Sequence, residues 1–212
     1  MHQPWQPPMP AQAHRLWLGA GLALVLLALV LWSLPVVRTA LGPGAAPEIE
    51  ADVCVVAPPS PYNPASGLPL QAARPVPADV RCPVCGMYPS RSPDWAAQVI
   101  FANGDAQFFD SPLSLFMYLG DVARYSPGRS AGEIVAHYVT DVSSRSWVDA
   151  RSAFYVTGST AKGPMRAGNL PAFASQEKAR EFAAQRGGKV LAYADVDAGL
   201  VAQLGGQGVH AH

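Results

Sequence analysis

The chain has 212 residues, of which only 14% are charged, and its formal net charge is zero. Nucleic-acid binders carry a concentrated basic face, so this balance excludes that class of partner. The length alone allows one or two domains, but the first 80 or so residues lack a globular pattern and leave about 130 for a folded core.

Residues 1–14, with four prolines and few apolar side chains besides Trp5, read as a disordered head. Residues 16–37 contain no charge and are dominated by Leu, Val and Ala. A run of that length can span a bilayer. A cleaved signal peptide has a shorter apolar core and ends at a small-x-small site, which Arg38-Thr39-Ala40 and Gly44-Ala45-Ala46-Pro47 match poorly. The expectation is therefore an uncleaved single-pass anchor over 15–38, with the bulk of the chain on the extracytoplasmic side. Arg15 and Arg38 flank the span almost evenly, so charge casts no vote on orientation. Residues 39–80 are rich in Pro and Ala and read as a semi-rigid linker without a packed core. Cys54, inside that stretch, has no ligand-type neighbours and reads as a lone thiol.

The pattern becomes globular at Arg81-Cys82-Pro83-Val84-Cys85-Gly86-Met87. An apolar strand over 95–101 runs into Asn103-Gly104, a hairpin signal, and 106–109 is the return strand. Ser111 suits an N-cap and Pro112 the first helical position, and apolar residues recur at helical spacing from Leu113 towards Tyr125. Strands are expected over 134–142, 147–149 and 153–157, followed by a Gly- and Pro-containing loop to residue 170 that presents Met165. Ser175 can cap a helix over 176–186 that ends at Gly187-Gly188, with a strand over 189–193 and a short helix over 197–204 to follow. Residues 205–212 read as a flexible tail, with His210 and His212 in it. Phe109-Asp110-Ser111 and Phe173-Ala174-Ser175 each lead from a strand into a capped helix, a faint internal echo.

Chemistry concentrates in Cys82, Cys85 and Met87, two thiols and a thioether within six residues, in a chain with three cysteines and five methionines. A structural zinc site needs four ligands, and the folded region adds only His137, itself inside an expected strand and read as structural. A thiol redox pair is the second reading, but the strand-then-helix setting that lowers a thiol pKa is missing around this motif. Cu(I) is satisfied by two or three soft ligands. If the loop is extended, Cys85 and Met87 point the same way. Isolated Met165 reads, on sequence chemistry alone, as packing. No set of catalytic groups is recognisable, and the chain does not read as an enzyme.

With those residues in view, the region from Cys82 to about Ala194 resembles the NosL family of copper-binding accessory proteins for nitrous oxide reductase maturation. The resemblance rests on Cys85-Gly86-Met87, Phe108-Phe109-Asp110, Thr140-Asp141, Trp147-Val148-Asp149-Ala150-Arg151, Tyr155-Val156, Gly158-Ser159, and Gly163-Pro164-Met165 running on to Pro171 and Phe173. It implies an α+β domain over 81–204 built of two related strand-strand-helix-strand halves, preceded here by one transmembrane helix and a Pro-rich tether. It also implies a Cu(I) site, a place on the periplasmic side of the inner membrane, and as partners the reductase and its membrane-bound maturation transporter. By position Cys85 and Met87 match the family's Cys-x-Met, and Met165 its later Gly-Pro-Met, so Met165 becomes a candidate third ligand. Cys82 is an addition to the bare motif: a ligand, a redox partner of Cys85, or both. The expected function is a membrane-anchored Cu(I) metallochaperone. The alternative is a thiol-disulfide oxidoreductase using Cys82 and Cys85 to maintain a client's copper-ligand thiols.

Overall fold

A computed structural model describes residues 57–165 and 169–206. They belong to one compact unit, Cys54–His212. The expected head and anchor, Cys54, and the histidines of the tail lie outside the described residues.

Two antiparallel sheets organise the unit. The first contains β1 (Ala97–Phe101), β2 (Ala106–Phe109), β3 (Ile134–Thr140) and β4 (Trp147–Asp149) in the order β2-β1-β3-β4. The second contains β5 (Phe154–Thr157), β6 (Ala172–Phe173) and β7 (Lys189–Ala192) in the order β6-β5-β7. In each, the first strand in sequence lies between the next two, and a helix joins the second strand to the third. Helix α1 (Pro112–Gly120) does so in the first half and α3 (Gln176–Arg186) in the second. Ser111 and Ser175 cap them alike, accepting hydrogen bonds from the Ser114 and Lys178 N–H groups. The internal echo is thus a repeated topology. A parallel bridge between Asp141 and Ala172 links the sheets.

Differences from expectation have local causes. The helix beginning at Pro112 stops at Gly120 because the Asp121 side chain caps a separate turn, α2 (Val122–Tyr125). The last helix, α4 (Ala198–Gly206), runs two residues into the expected tail.

The larger correction concerns the linker. Residues 57–80, read as part of a tether, lie against the first sheet. All five residues of β1 are buried. Alternation sends Ala97, Val99 and Phe101 into the main core with α1, and Ile100 to the opposite face, where Val76 and Val80 pack over Ile100, Ala106 and Phe108. Ser60 makes paired backbone hydrogen bonds with Ala106 at 2.7 and 2.8 Å, and the Tyr138 hydroxyl donates to the Gln71 carbonyl. The segment has no core of its own, but it covers an apolar face that a two-sided strand would otherwise expose.

Gln98, fully buried, fastens this strap by accepting from the Arg74 N–H at 3.0 Å and donating to the Arg74 carbonyl at 2.9 Å. Gln98→Leu leaves both backbone groups unpaired. It is expected to lower stability by about 1–3 kcal/mol and to open residues 57–80 to limited proteolysis. An unchanged urea midpoint and cleavage pattern would refute the strap's dependence on Gln98.

Candidate metal centre

The sulfur motif forms a closed turn at the edge of the main core. The Cys82 N–H donates to the Met87 carbonyl and the Gly86 N–H to the Cys82 carbonyl, each at 2.8 Å. Gly86 has φ 74°, a left-handed conformation open to glycine at little cost. The loop is therefore not extended, and the expectation that Cys85 and Met87 point the same way fails. Cys82 is fully buried, Cys85 is half-buried against the same core, and Met87 is 40% exposed. The Met87 N–H is directed at the Cys85 sulfur.

Beneath the turn lies Asp110, at the junction between β2 and the Ser111 cap of α1. It is fully buried. Among the described residues neither of its carboxyl oxygens has a hydrogen-bond partner. Its carboxyl and the Cys82 and Cys85 sulfurs each offer one atom, and these atoms all lie within 4.8 Å of one another. Two metal–sulfur bonds of roughly 2.3 Å end to end reach roughly 4.6 Å, close to that spacing, so a single ion could touch all three.

Met165 is half-buried against the core that holds Cys85, with its Sδ 4.0 Å from the Ser114 hydroxyl in the first turn of α1. Its neighbour Pro164 lines a cavity of about 340 Å³ together with Met87. The structure thus joins Cys82, Cys85 and Asp110 at the inside, with Met87 at the solvent edge and Met165 beside the start of α1. His137 lies elsewhere, buried on β3 with its ring 6.5 Å from that of Tyr193. Burial holds its pKa below the ordinary histidine value.

Asp110 is the residue that sequence reasoning missed. The signal was a carboxylate set directly between the buried Phe108-Phe109 strand end and a Ser-Pro helix start, a place where a charge has no route to water. The thiols also behave unlike a redox pair. The hydrogen bond to Cys82 and burial push the Cys85 pKa far up, with the nearby Cys82 and Asp110 adding repulsion. A nucleophilic cysteine needs the opposite shift. A thiol of this kind must give up its proton before it can ligate a cation.

A mixed helix-and-sheet fold here carries a buried sulfur-and-carboxyl cluster of a kind that can hold a metal ion. The chain belongs to the NosL family, whose model, described simply as NosL, matches residues 74–201, well over half the sequence. The copper-binding lipoprotein NosL of Stutzerimonas stutzeri is 29% identical over 142 residues, covering 62% of this chain and 70% of that protein. The copper-binding lipoprotein NosL of Achromobacter cycloclastes is 30% identical over 128 residues, covering 55% of this chain and 63% of that protein, less than two thirds of its length. In fold, the chain is similar to the crystal structure of the copper chaperone NosL from Shewanella denitrificans, with a TM-score of 0.52 at 22% identity, covering 62% of this chain and 99% of that one. These relatives are named as copper-binding proteins and a copper chaperone, not as enzymes.

The comparisons correct the expected localisation. Relatives named lipoproteins belong to a class held at membranes by acyl chains, which conflicts with a single-pass inner-membrane protein. Among the described residues no helix is long and apolar enough to cross a membrane.

Asp110→Asn replaces a buried carboxyl by a neutral amide of nearly the same shape. The metal-free variant is expected to be more stable than wild type by on the order of 1 kcal/mol, read from denaturant midpoints. A lower midpoint would show that the carboxyl supports the fold itself.

Proposed function

We propose that this protein carries Cu(I) and delivers it to a copper enzyme under assembly, with nitrous oxide reductase as the client and its maturation transporter as a second partner. The observation that carries the reading is the pair of Cys82 and Cys85 sulfurs clustered with a buried, unpartnered Asp110 carboxyl, next to an exposed Met87, in a chain of the NosL family.

In this reading Cys85, Met87 and Met165 ligate the ion, and Cys82 and Asp110 form the wall behind it. Soft sulfur selects Cu(I), and low coordination leaves the ion open to exchange. A carboxylate is a poor ligand for Cu(I), so Asp110 is not counted among the ligands. Cys85, whose pKa is raised in the free protein, loses its proton on loading. The raised Cys85 pKa argues against the oxidoreductase alternative.

Anaerobic Cu(I) titration against a competing chelator tests the assignment. Cys85→Ser is expected to weaken binding by about 100-fold or more and Met87→Ala by about tenfold. Equal, weak binding by wild type and Cys85→Ser would end the proposal.

The same titration repeated between pH 6 and 9 tests proton release. Because the folded Cys85 thiol holds its proton through this whole range, affinity should rise with pH by about tenfold per unit, one proton per copper. A slope of two would make Cys82 a second thiolate ligand, and a flat profile would remove Cys85 from the site.

A further inference from the structure

The cavity beside Met87 has a charge pattern that metal ligation does not use. Arg81 and Arg91 both line it, as do Tyr88 and Pro164. Both guanidiniums lie against the Tyr88 ring, at 4.4 and 4.7 Å from its centroid. Arg81 also donates to the Gly86 carbonyl at 3.1 Å, which ties the charge to the turn that carries Met87. Both arginines are exposed, and among the described residues neither makes an ion pair.

Two cations held on one ring repel each other, and cation–π attraction offsets only part of that cost at an exposed site. The cost is met when an anionic group binds between them. The chain as a whole is neutral, so this is a local concentration of positive charge and not a consequence of composition. It sits at the one described edge of the sulfur cluster where a candidate ligand, Met87, is exposed. Fixed charge around an exit raises the encounter rate of oppositely charged partners and orients them on arrival.

We propose that Arg81 and Arg91 form the docking site for an acidic surface segment of the protein that accepts the metal. The assignment rests on the metal-carrier reading above for its purpose, but the charge recognition itself is a property of the apo chain. Aspartate or glutamate side chains of the acceptor pair with the two guanidiniums. Its soft ligands then face Met87, the exposed end of the site.

The test uses the full chain and two fluorescent synthetic peptides of the same Met-bearing sequence, one flanked by aspartates and one by asparagines. Anisotropy with metal-free protein is expected to show the acidic peptide binding about tenfold tighter at low salt, with the preference lost at 1 M NaCl. Arg91→Glu, which leaves the Arg81 to Gly86 hydrogen bond in place, should abolish the preference while leaving Cu(I) affinity for a chelator unchanged. If that variant does not fold, Arg91→Gln and the salt series on wild type decide the same point. With Cu(I)-loaded protein, stopped-flow transfer to the acidic peptide should be about tenfold faster in wild type than in the variant. Equal affinity for both peptides, or a preference that survives Arg91→Glu, overturns the docking site whether or not the chain binds copper. Loss of copper binding with the peptide preference intact overturns the carrier reading alone.

Discussion

Burying a carboxyl with no hydrogen-bond donor is among the more expensive things a small domain can do, and the region around Asp110 is arranged so that the cost cannot be escaped. Asp110 follows a strand whose four residues are all buried and precedes a helix whose cap, Ser111, is occupied with the Ser114 N–H. Its backbone is therefore fixed on both sides, and its side chain has no exposed surface to retreat to. What faces it are two thiols, weak donors that do little for a carboxylate. Among the described residues the carboxyl is left without a donor, and the strand, cap and turn that hold it there are the framework of the whole first half.

That framework depends on cover from both sides. Strand β1 buries alternate residues against α1 and against the 57–80 strap, so the sheet that positions Asp110 is sealed by a segment with no helix or strand of its own beyond a single bridge and one short helical turn. The glycine of the β1–β2 hairpin shows how close the strap runs. A Cβ on Gly104 would come within 2.4 Å of the Leu70 side chain and 2.9 Å of Tyr62. The same glycine has φ 87°, so turn geometry and strap packing select it together.

This arrangement explains what could be read from the residues alone. Capped helices and the Asn-Gly hairpin are local signals, in which Ser111, Pro112, Ser175 and Gly104 specify their own backbone, and the elements they mark are found within a few residues of where spacing puts them. The strap was illegible because proline and alanine content reports only that a segment lacks a core of its own. It cannot report that Ile100 and Phe108, some 25 to 30 residues on, need covering. Within the site, the Cys82–Met87 motif was legible as chemistry because sulfur is rare in this chain. Its geometry was not, since one left-handed glycine, Gly86, separates an inward Cys85 from an outward Met87. Asp110 escaped because its meaning comes only from what the fold brings opposite it.

The resulting site is graded from inside to outside. Cys82 and Asp110 have no exposure, Cys85 is half-buried, and Met87 reaches solvent beside two arginines that make no ion pair among the described residues. A site meant to keep an ion would enclose every ligand and satisfy every polar group around it. Here the carboxyl and the Cys82 thiol are deep, while the uncharged thioether is at the surface, on a turn closed by two backbone hydrogen bonds. Methionine binds Cu(I) without carrying charge, so losing that contact costs less than breaking a buried thiolate bond. In the proposed carrier reading, an incoming ligand would replace Met87 first while Cys85 still held the ion, so exchange would need no free ion, and the order of burial along six residues would set the order of release.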